Sequence, residues 1–192
     1  MPRRAVIDVG TNSVKVLLAD VEDEVVRPVW ETSVQTRLGH GFYEARVLQP
    51  GPVAATAVAV ANFARDASAR GAESVRVVAT SAARDAVNGA ELVRAIRHAS
   101  GLSTEVISGD TEALWAFAGV ATHPSHQGVR LLVLDVGGGS TEFILGERSR
   151  GLPAHVVYHG SFPVGSVRLR EAFPPADPPA RGELAQIGRA HV

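Results

Sequence analysis

The sequence predicts an α/β fold: a mixed sheet with flanking helices, followed by the incomplete start of a second similar unit. Three observations predict it. The stretch Val6-Ile-Asp-Val-Gly-Thr-Asn-Ser-Val-Lys15 returns without a gap as Val133-Leu-Asp-Val-Gly-Gly-Gly-Ser-Thr-Glu142, so Asp8 falls on Asp135, Gly10 on Gly137 and Ser13 on Ser140. Each copy reads as an apolar strand, a tight turn and a second strand. Between the copies, short β-branched runs alternate with Ala-rich amphipathic segments, as in strands interleaved with helices. After the second copy, one helical segment follows before the Pro-rich stretch 174–179.

Residues 5–9 predict a buried strand and 13–19 its antiparallel partner, with a third strand at 25–34 completing a meander broken at Gly39–Gly41. Pro50 and Pro52 open a helix that runs to about Arg70, with Val53, Ala57, Val60, Ala61 and Ala64 on one face and Gly71 as the stop. A strand at 75–80 runs into a helix near 82–87, and an amphipathic helix at 90–99 ends at Gly101. Residues 105–108 read as a strand, 112–121 as a helix and 123–128 as a linker. The pattern then restarts with strands at 131–136, 141–146 and 155–162 and a helix over 167–173. The expected units are 1–122, 129–186 as a shortened copy, and a tail of 187–192.

Composition narrows the partners. A net charge of −1 gives no reason to expect nucleic acid or an anionic membrane, and no apolar run is long enough to span a bilayer. With no Cys there is neither a disulfide framework nor a thiolate metal site, and no signal-peptide core is present, so a cytoplasmic location is expected. Any phosphate site must be local. It would be built from turns and single cations such as Lys15, the only Lys in the chain.

The turns carry the chemistry. Residues Gly10, Thr11, Asn12 and Ser13, and Gly137, Gly138, Gly139 and Ser140 with Thr141, can aim successive N–H groups and hydroxyls at an anion. Asp8 and Asp135 stand beside them in apolar strands and suit a hard cation. Alone, such a hairpin would be read as structure, since Gly, Asn and Ser are what any tight turn needs. Two copies in register point to function. No G-x-x-x-x-G-K-[ST] and no G-x-G-x-x-G occurs, so the helix-based phosphate cradles are absent.

In its ordered motifs the chain resembles the exopolyphosphatase and guanosine pentaphosphate phosphohydrolase family, within the actin-like/sugar-kinase ATPase superfamily. The motifs are Ile7-Asp-Val-Gly-Thr-Asn-Ser13, Ala79-Thr-Ser-Ala-Ala-Arg-Asp-Ala-Val-Asn88, Ile107-Ser-Gly-Asp-Thr-Glu-Ala113, Leu134-Asp-Val-Gly-Gly-Gly-Ser-Thr-Glu142 and Pro163-Val-Gly-Ser-Val-Arg-Leu169. The resemblance implies ribonuclease-H-like (actin-like) lobes around a cleft and Mg²⁺-dependent hydrolysis of a phosphoanhydride. The substrate would be inorganic polyphosphate or guanosine penta- or tetraphosphate, and a homodimer is allowed for a full-length member. It implies that Glu112 orients the attacking water, that Arg84 and Lys15 contact phosphate, and that Asp8, Asp135 and Glu142 hold the metal. Without the motif, Glu112 would be read as an acidic residue favoured in the first turn of a helix capped by Ser108 or Asp110. Leu114 stands where the family often has a basic residue, and Arg37 lies in another segment that resembles it.

Two rival readings remain at this stage: an actin-superfamily sugar or acetate kinase, and a non-catalytic alarmone-binding protein. The final segment, Ile187-Gly-Arg-Ala-His-Val192, matches the translation of a widely used sequencing adapter, so a non-native tail on a truncated, inactive gene product is expected.

Overall fold

The computed structural model describes residues 1–22, 25–126, 128–149, 154–174, 176 and 182. The expected non-native tail at 187–192 lies outside the described residues. β1 (Arg3–Val9), β2 (Ser13–Glu22), β3 (Val25–Gln35), β4 (Ser74–Ala79) and β5 (Thr104–Val106) form a five-stranded mixed sheet in the order β3-β2-β1-β4-β5. The hairpins β1–β2 and β2–β3 are antiparallel, whereas β4 lies parallel to β1. A parallel neighbour needs a crossover, which α1 (Pro50–Ala69) supplies. Pro28 is tolerated in β3 because this is an edge strand, and the β2–β3 register slips between Leu18 and Ala19, opposite that stretch.

α1 and α3 (Gly89–Ser100) cover one face of this sheet. Strand alternation directs Ile7, Val9, Val14 and Val16 into a core with Leu38, Leu48, Val60, Phe63, Leu92 and Ile96. It leaves Asp8 and Lys15, which are register partners, on the opposite face. Of the expected face of α1, Ala57 and Val60 are buried and Val53 and Ala64 pack against the core, while Thr56, Ala59, Phe63 and Ala67 extend the buried stripe. Thr56 belongs there because its hydroxyl donates to Thr36 at 2.9 Å, a pairing that an apolar count misses.

A second sheet, β6 (Arg130–Val136), β7 (Thr141–Glu147) and β8 (His155–Phe162), repeats the first hairpin arrangement, with Asp135 opposite Glu142 as Asp8 is opposite Lys15. It is followed by α5 (Ser166–Ala172). The short α2 (Ser81–Asp85) follows β4, and α4 (Gly109–Ala121) lies between the strands of the two sheets in sequence. The strand expected at 105–108 is shorter, and its helix starts earlier, because Ser108 caps α4: its side chain accepts from the Thr111 N–H. α4 stands with the first unit in sequence, but its buried Ala113, Phe117 and Ala121 pack on Ile144, with Leu131, Val133 and Val156 around them. Its links to the first unit are polar: Arg84 donates to Glu112, and the Arg76 guanidinium of β4 lies 4.9 Å from the Trp115 ring centroid. No helix among the described residues is long and apolar enough to cross a membrane.

The opposite face of the second sheet is bare among the described residues. Leu132, Leu134 and Val136 are 60%, 56% and 69% exposed, beside an edge-to-face pair of Phe143 and Phe162. An uncovered apolar sheet face with an open edge favours association. By sedimentation velocity, the 192-residue chain should associate with rising concentration. Leu132→Thr with Leu134→Thr should suppress this while changing stability by less than ~1 kcal/mol. A wild-type chain that stays monomeric at all concentrations would contradict the expectation.

Candidate active site

The turn between β1 and β2 is closed by the Gly10 N–H donating to the Ser13 carbonyl at 3.1 Å. Its other carbonyls are held from behind by the loop at 36–46. The Gly39 N–H donates to Thr11 O at 2.7 Å, and Asn12 O accepts from Thr36 N at 3.2 Å and Arg37 N at 2.8 Å. In a planar trans peptide the carbonyl and the following N–H point in opposite directions, so anchoring those carbonyls turns the Asn12 and Ser13 N–H groups away from the loop. The geometry is demanding. Arg37 adopts φ 51°, the left-handed region that a residue with a Cβ occupies at a cost, and a Cβ on Gly39 would lie 2.4 Å from Thr11 Cγ2.

The second turn is built the same way with different backing. The Gly137 N–H donates to Ser140 O at 2.9 Å. Gly137 O accepts from Ser166 N at 3.0 Å, and Gly138 O accepts from Val167 N at 2.8 Å and Arg168 N at 3.1 Å. These are the orphan donors of the first turn of α5. Arg168 Nε donates to Gly139 O at 2.9 Å. Three carbonyls are thus turned towards α5, and the N–H groups of Gly138, Gly139 and Ser140 point the other way, with no partner among the described residues. The close approach requires glycine at 165, where a Cβ would come within 2.5 Å of the Gly138 carbonyl.

Both turns face one cleft of about 200 Å³, lined also by Asp8, Lys15, Ser81, Glu112, Asp135 and Glu142. The Thr11 and Ser81 hydroxyls hydrogen-bond across it at 2.9 Å. Glu112 Oε2 accepts from Arg84 Nη1 at 3.0 Å, and the same nitrogen donates to Ile107 O at 3.1 Å. Burial pushes the Glu112 carboxyl above the ordinary carboxylate value, against the opposing hydrogen bond from Arg84, and the nearby Glu142 and Asp8 push it the same way. Burial likewise raises Asp8, opposed by Lys15 and reinforced by Asp135. One Asp8 oxygen, Oδ1, is buried with no hydrogen-bond partner among the described residues.

An unpartnered buried carboxylate oxygen beside like charges is where a hard cation fits. Asp8 and Asp135 are the residues that could hold Mg²⁺, which commonly takes one or two carboxylates and completes its shell with water and substrate phosphate. The expected trio of Asp8, Asp135 and Glu142 does not assemble: no group of three potential ligands comes together among the described residues. Glu142 Oε1 is engaged by the Ser161 hydroxyl at 2.9 Å, which ties it to β8.

Of the residues expected from sequence, Gly10, Thr11, Asn12, Ser13, Lys15, Gly137, Gly138, Gly139 and Ser140 line the cleft with the carboxylates. Thr141 does not line it. It begins β7, and its hydroxyl donates to the Val164 carbonyl. Arg84 lines an adjoining cavity, where its Nη1 pairs with Glu112 and its Nε lies 3.5 Å from Asp85. Glu112 stands in the first turn of α4, which Ser108 rather than Asp110 caps. Sequence reasoning missed Ser81, Tyr43 and Arg168. Ser81 and Arg168 lie inside quoted motifs, whereas nothing in the sequence marks Tyr43. Its hydroxyl donates to Gly138 O at 3.3 Å, and burial pushes its pKa up to about 12, Arg168 opposing, so it stays a donor at neutral pH.

Residues 17–191 match the Ppx/GppA phosphatase family. The chain is 36% identical over 200 residues to Exopolyphosphatase 2 of Mycobacterium tuberculosis, covering 98% of this chain and 60% of that protein. It is similar in structure to the Aquifex aeolicus Ppx/GppA phosphatase, at 30% identity and a TM-score of 0.72 over 97% of this chain and 60% of that one. An exopolyphosphatase from Cytophaga hutchinsonii is similar at 26% identity and a TM-score of 0.83, over 96% of this chain and 57% of that one. The chain thus spans about 60% of the length of such relatives. The mixed α/β lobe expected from the sequence is the one these structures share.

The raised Asp8 carboxyl makes a prediction with a definite sign. A carboxyl whose folded pKa lies above its unfolded value of 3.8 destabilises the fold once the pH exceeds that value, and costs nothing below it, where both states are protonated. Asp8→Asn should therefore stabilise the chain at pH 7 by about 1 kcal/mol, as relief of strained functional sites commonly does. For a chain of this size that corresponds to a rise in Tm of roughly 2–4 °C. The gain should vanish as the pH falls below 3.8. Added Mg²⁺ should raise the Tm of the wild type and leave that of the variant unchanged. A variant no more stable than wild type at neutral pH would contradict the proposed strain.

Proposed function

Because the chain belongs to the Ppx/GppA phosphatase family, we propose that it carries the cleft of a Mg²⁺-dependent hydrolase that removes terminal phosphate from inorganic polyphosphate. Guanosine pentaphosphate, which offers the same terminal anhydride, would be a second substrate. The observation that carries this reading is the meeting, in one cleft, of two turns with outward-held carbonyls and a buried, oriented Glu112.

The substrate's negative charge explains the turns. Successive N–H groups can donate to the terminal phosphate oxygens from two sides without a full positive charge, and Lys15 adds one cation. Glu112 then faces the water. Arg84 occupies Oε2, which fixes the carboxylate plane and leaves Oε1 to accept a proton. As water attacks the terminal phosphorus, its oxygen forms the new P–O bond and its proton passes to Glu112. The bridging P–O bond breaks, and the shortened chain leaves with that electron pair. Burial holds the Glu112 carboxyl above its ordinary value, nearer the pH at which a general base is effective. A cation at Asp8 and Asp135 would supply neutralisation of the phosphate oxygens. Positioning and charge stabilisation supply most of the rate, as in phosphoryl transfer generally.

Glu112→Gln keeps volume and helix position but removes the base. In the full-length protein, phosphate release from polyphosphate and from guanosine pentaphosphate should fall about 10²–10⁴-fold, the range for a lost general base, with substrate affinity largely kept. An undiminished rate with both substrates would return Glu112 to a structural role as the partner of Arg84.

A further inference from the structure

A single loop touches both turns, although α5 supplies most of the backing of the second. The loop at 36–46 holds the first turn through the Thr36, Arg37 and Gly39 N–H groups, and the same loop carries Tyr43 to the second turn, 3.3 Å from Gly138 O. Opposite it, Arg168 of α5 donates from Nε to Gly139 O at 2.9 Å and lays its guanidinium 4.3 Å over the Tyr43 ring. Two residues further along the loop from Gly39, the Gly41 N–H donates to Glu171 Oε1 at 2.7 Å, a second tie between loop and α5.

We propose that Tyr43 and Arg168 are positioning residues for phosphate binding: they lock the second turn to the loop that already holds the first, so one loop sets the orientation and spacing of both rows of N–H groups. This rests on the phosphatase reading of the cleft. The division of labour follows from the acceptors. Gly138 O has the N–H groups of Val167 and Arg168 as well as Tyr43, whereas Gly139 O has only the Arg168 side chain among the described residues. The direction of the Ser140 N–H, which shares a peptide with that carbonyl, is therefore set by Arg168. A charged donor suits the task because such bonds are the stronger ones, and the flat guanidinium can bond in its plane while stacking on the ring, which an ammonium cannot. Tyr43 supplies both the face that fixes the guanidinium and the hydroxyl that reaches the neighbouring carbonyl.

The test uses the 192-residue chain, inorganic tripolyphosphate with Mg²⁺ as the probe, and the ligand-free backbone amide resonances of Gly139 and Ser140. Arg168→Lys should weaken tripolyphosphate binding about tenfold, the equivalent of one lost charged hydrogen bond, and should shift both resonances while leaving the Tm near that of wild type. Tyr43→Phe keeps the stacked ring and should weaken binding less. The double variant should be less than additive, because the two side chains act on one turn. Unmoved Gly139 and Ser140 resonances in Arg168→Lys, or unchanged affinity, would overturn the proposal. If Arg168→Lys melts early, Tyr43→Phe decides alone: wild-type affinity with an unmoved Gly139 resonance would overturn it. A wild-type chain that binds no tripolyphosphate while those resonances still move in the variant would keep the positioning role of Arg168 and overturn the phosphatase reading instead.

Discussion

The arrangement of the cleft depends on one property of the peptide bond. A trans peptide cannot present its carbonyl and the following N–H to the same side, so a turn offers N–H groups to an anion only if its carbonyls are held on the far side. This chain meets that requirement twice. Loop N–H groups hold Thr11 O and Asn12 O, and the first turn of α5 with the Arg168 side chain holds Gly137 O, Gly138 O and Gly139 O. The strained φ of Arg37 and the bare Cα atoms of Gly39 and Gly165 are consequences, since each lets the backing chain approach the turn it holds. The duplicated sequence motif is thus half of a device. The other half, the backing, differs between the copies.

Electrostatics sets the second constraint. Asp8, Glu112, Asp135 and Glu142 share one cleft; burial raises the carboxyls of Asp8 and Glu112, with Asp135 reinforcing the first and Glu142 and Asp8 the second. Burial of the charged forms of Asp8 and Glu112 opposes folding at neutral pH, the usual relation between an active site and the scaffold around it. Partial compensation is local: Lys15 stands opposite Asp8 in the hairpin, Arg84 holds Glu112, and Ser161 holds Glu142. Asp8 Oδ1 has no such partner among the described residues, and the proposed cation would answer to that atom.

Much of this was legible in the sequence. The in-register repeat predicted two hairpins with matching turns, and Pro50, Gly71 and Gly101 marked helix ends within a residue or two. What escaped shares a cause: it depends on contacts between distant segments. Arg84 and Glu112 were each singled out, but their pairing, which joins α2 to α4 across 28 positions, was not. Thr141 fits a phosphate turn by type, yet Val164, 23 positions away, takes its hydroxyl. α4 reads as the last helix of the first unit, and only the position of Ile144 and Leu131 shows that it packs on the second sheet. Tyr43 had no local signal, because its role lies in reaching Gly138 across 95 positions.

The central claim is that the two turns act on one anion. A crystal structure of the chain with tripolyphosphate and Mg²⁺ tests it most directly. The account predicts a terminal phosphate bridging the N–H groups of Asn12 or Ser13 and those of Gly138 to Ser140, with the cation against Asp8 Oδ1. A phosphate held by one turn alone, with the other turn's N–H groups facing solvent and the cation away from Asp8, would contradict it.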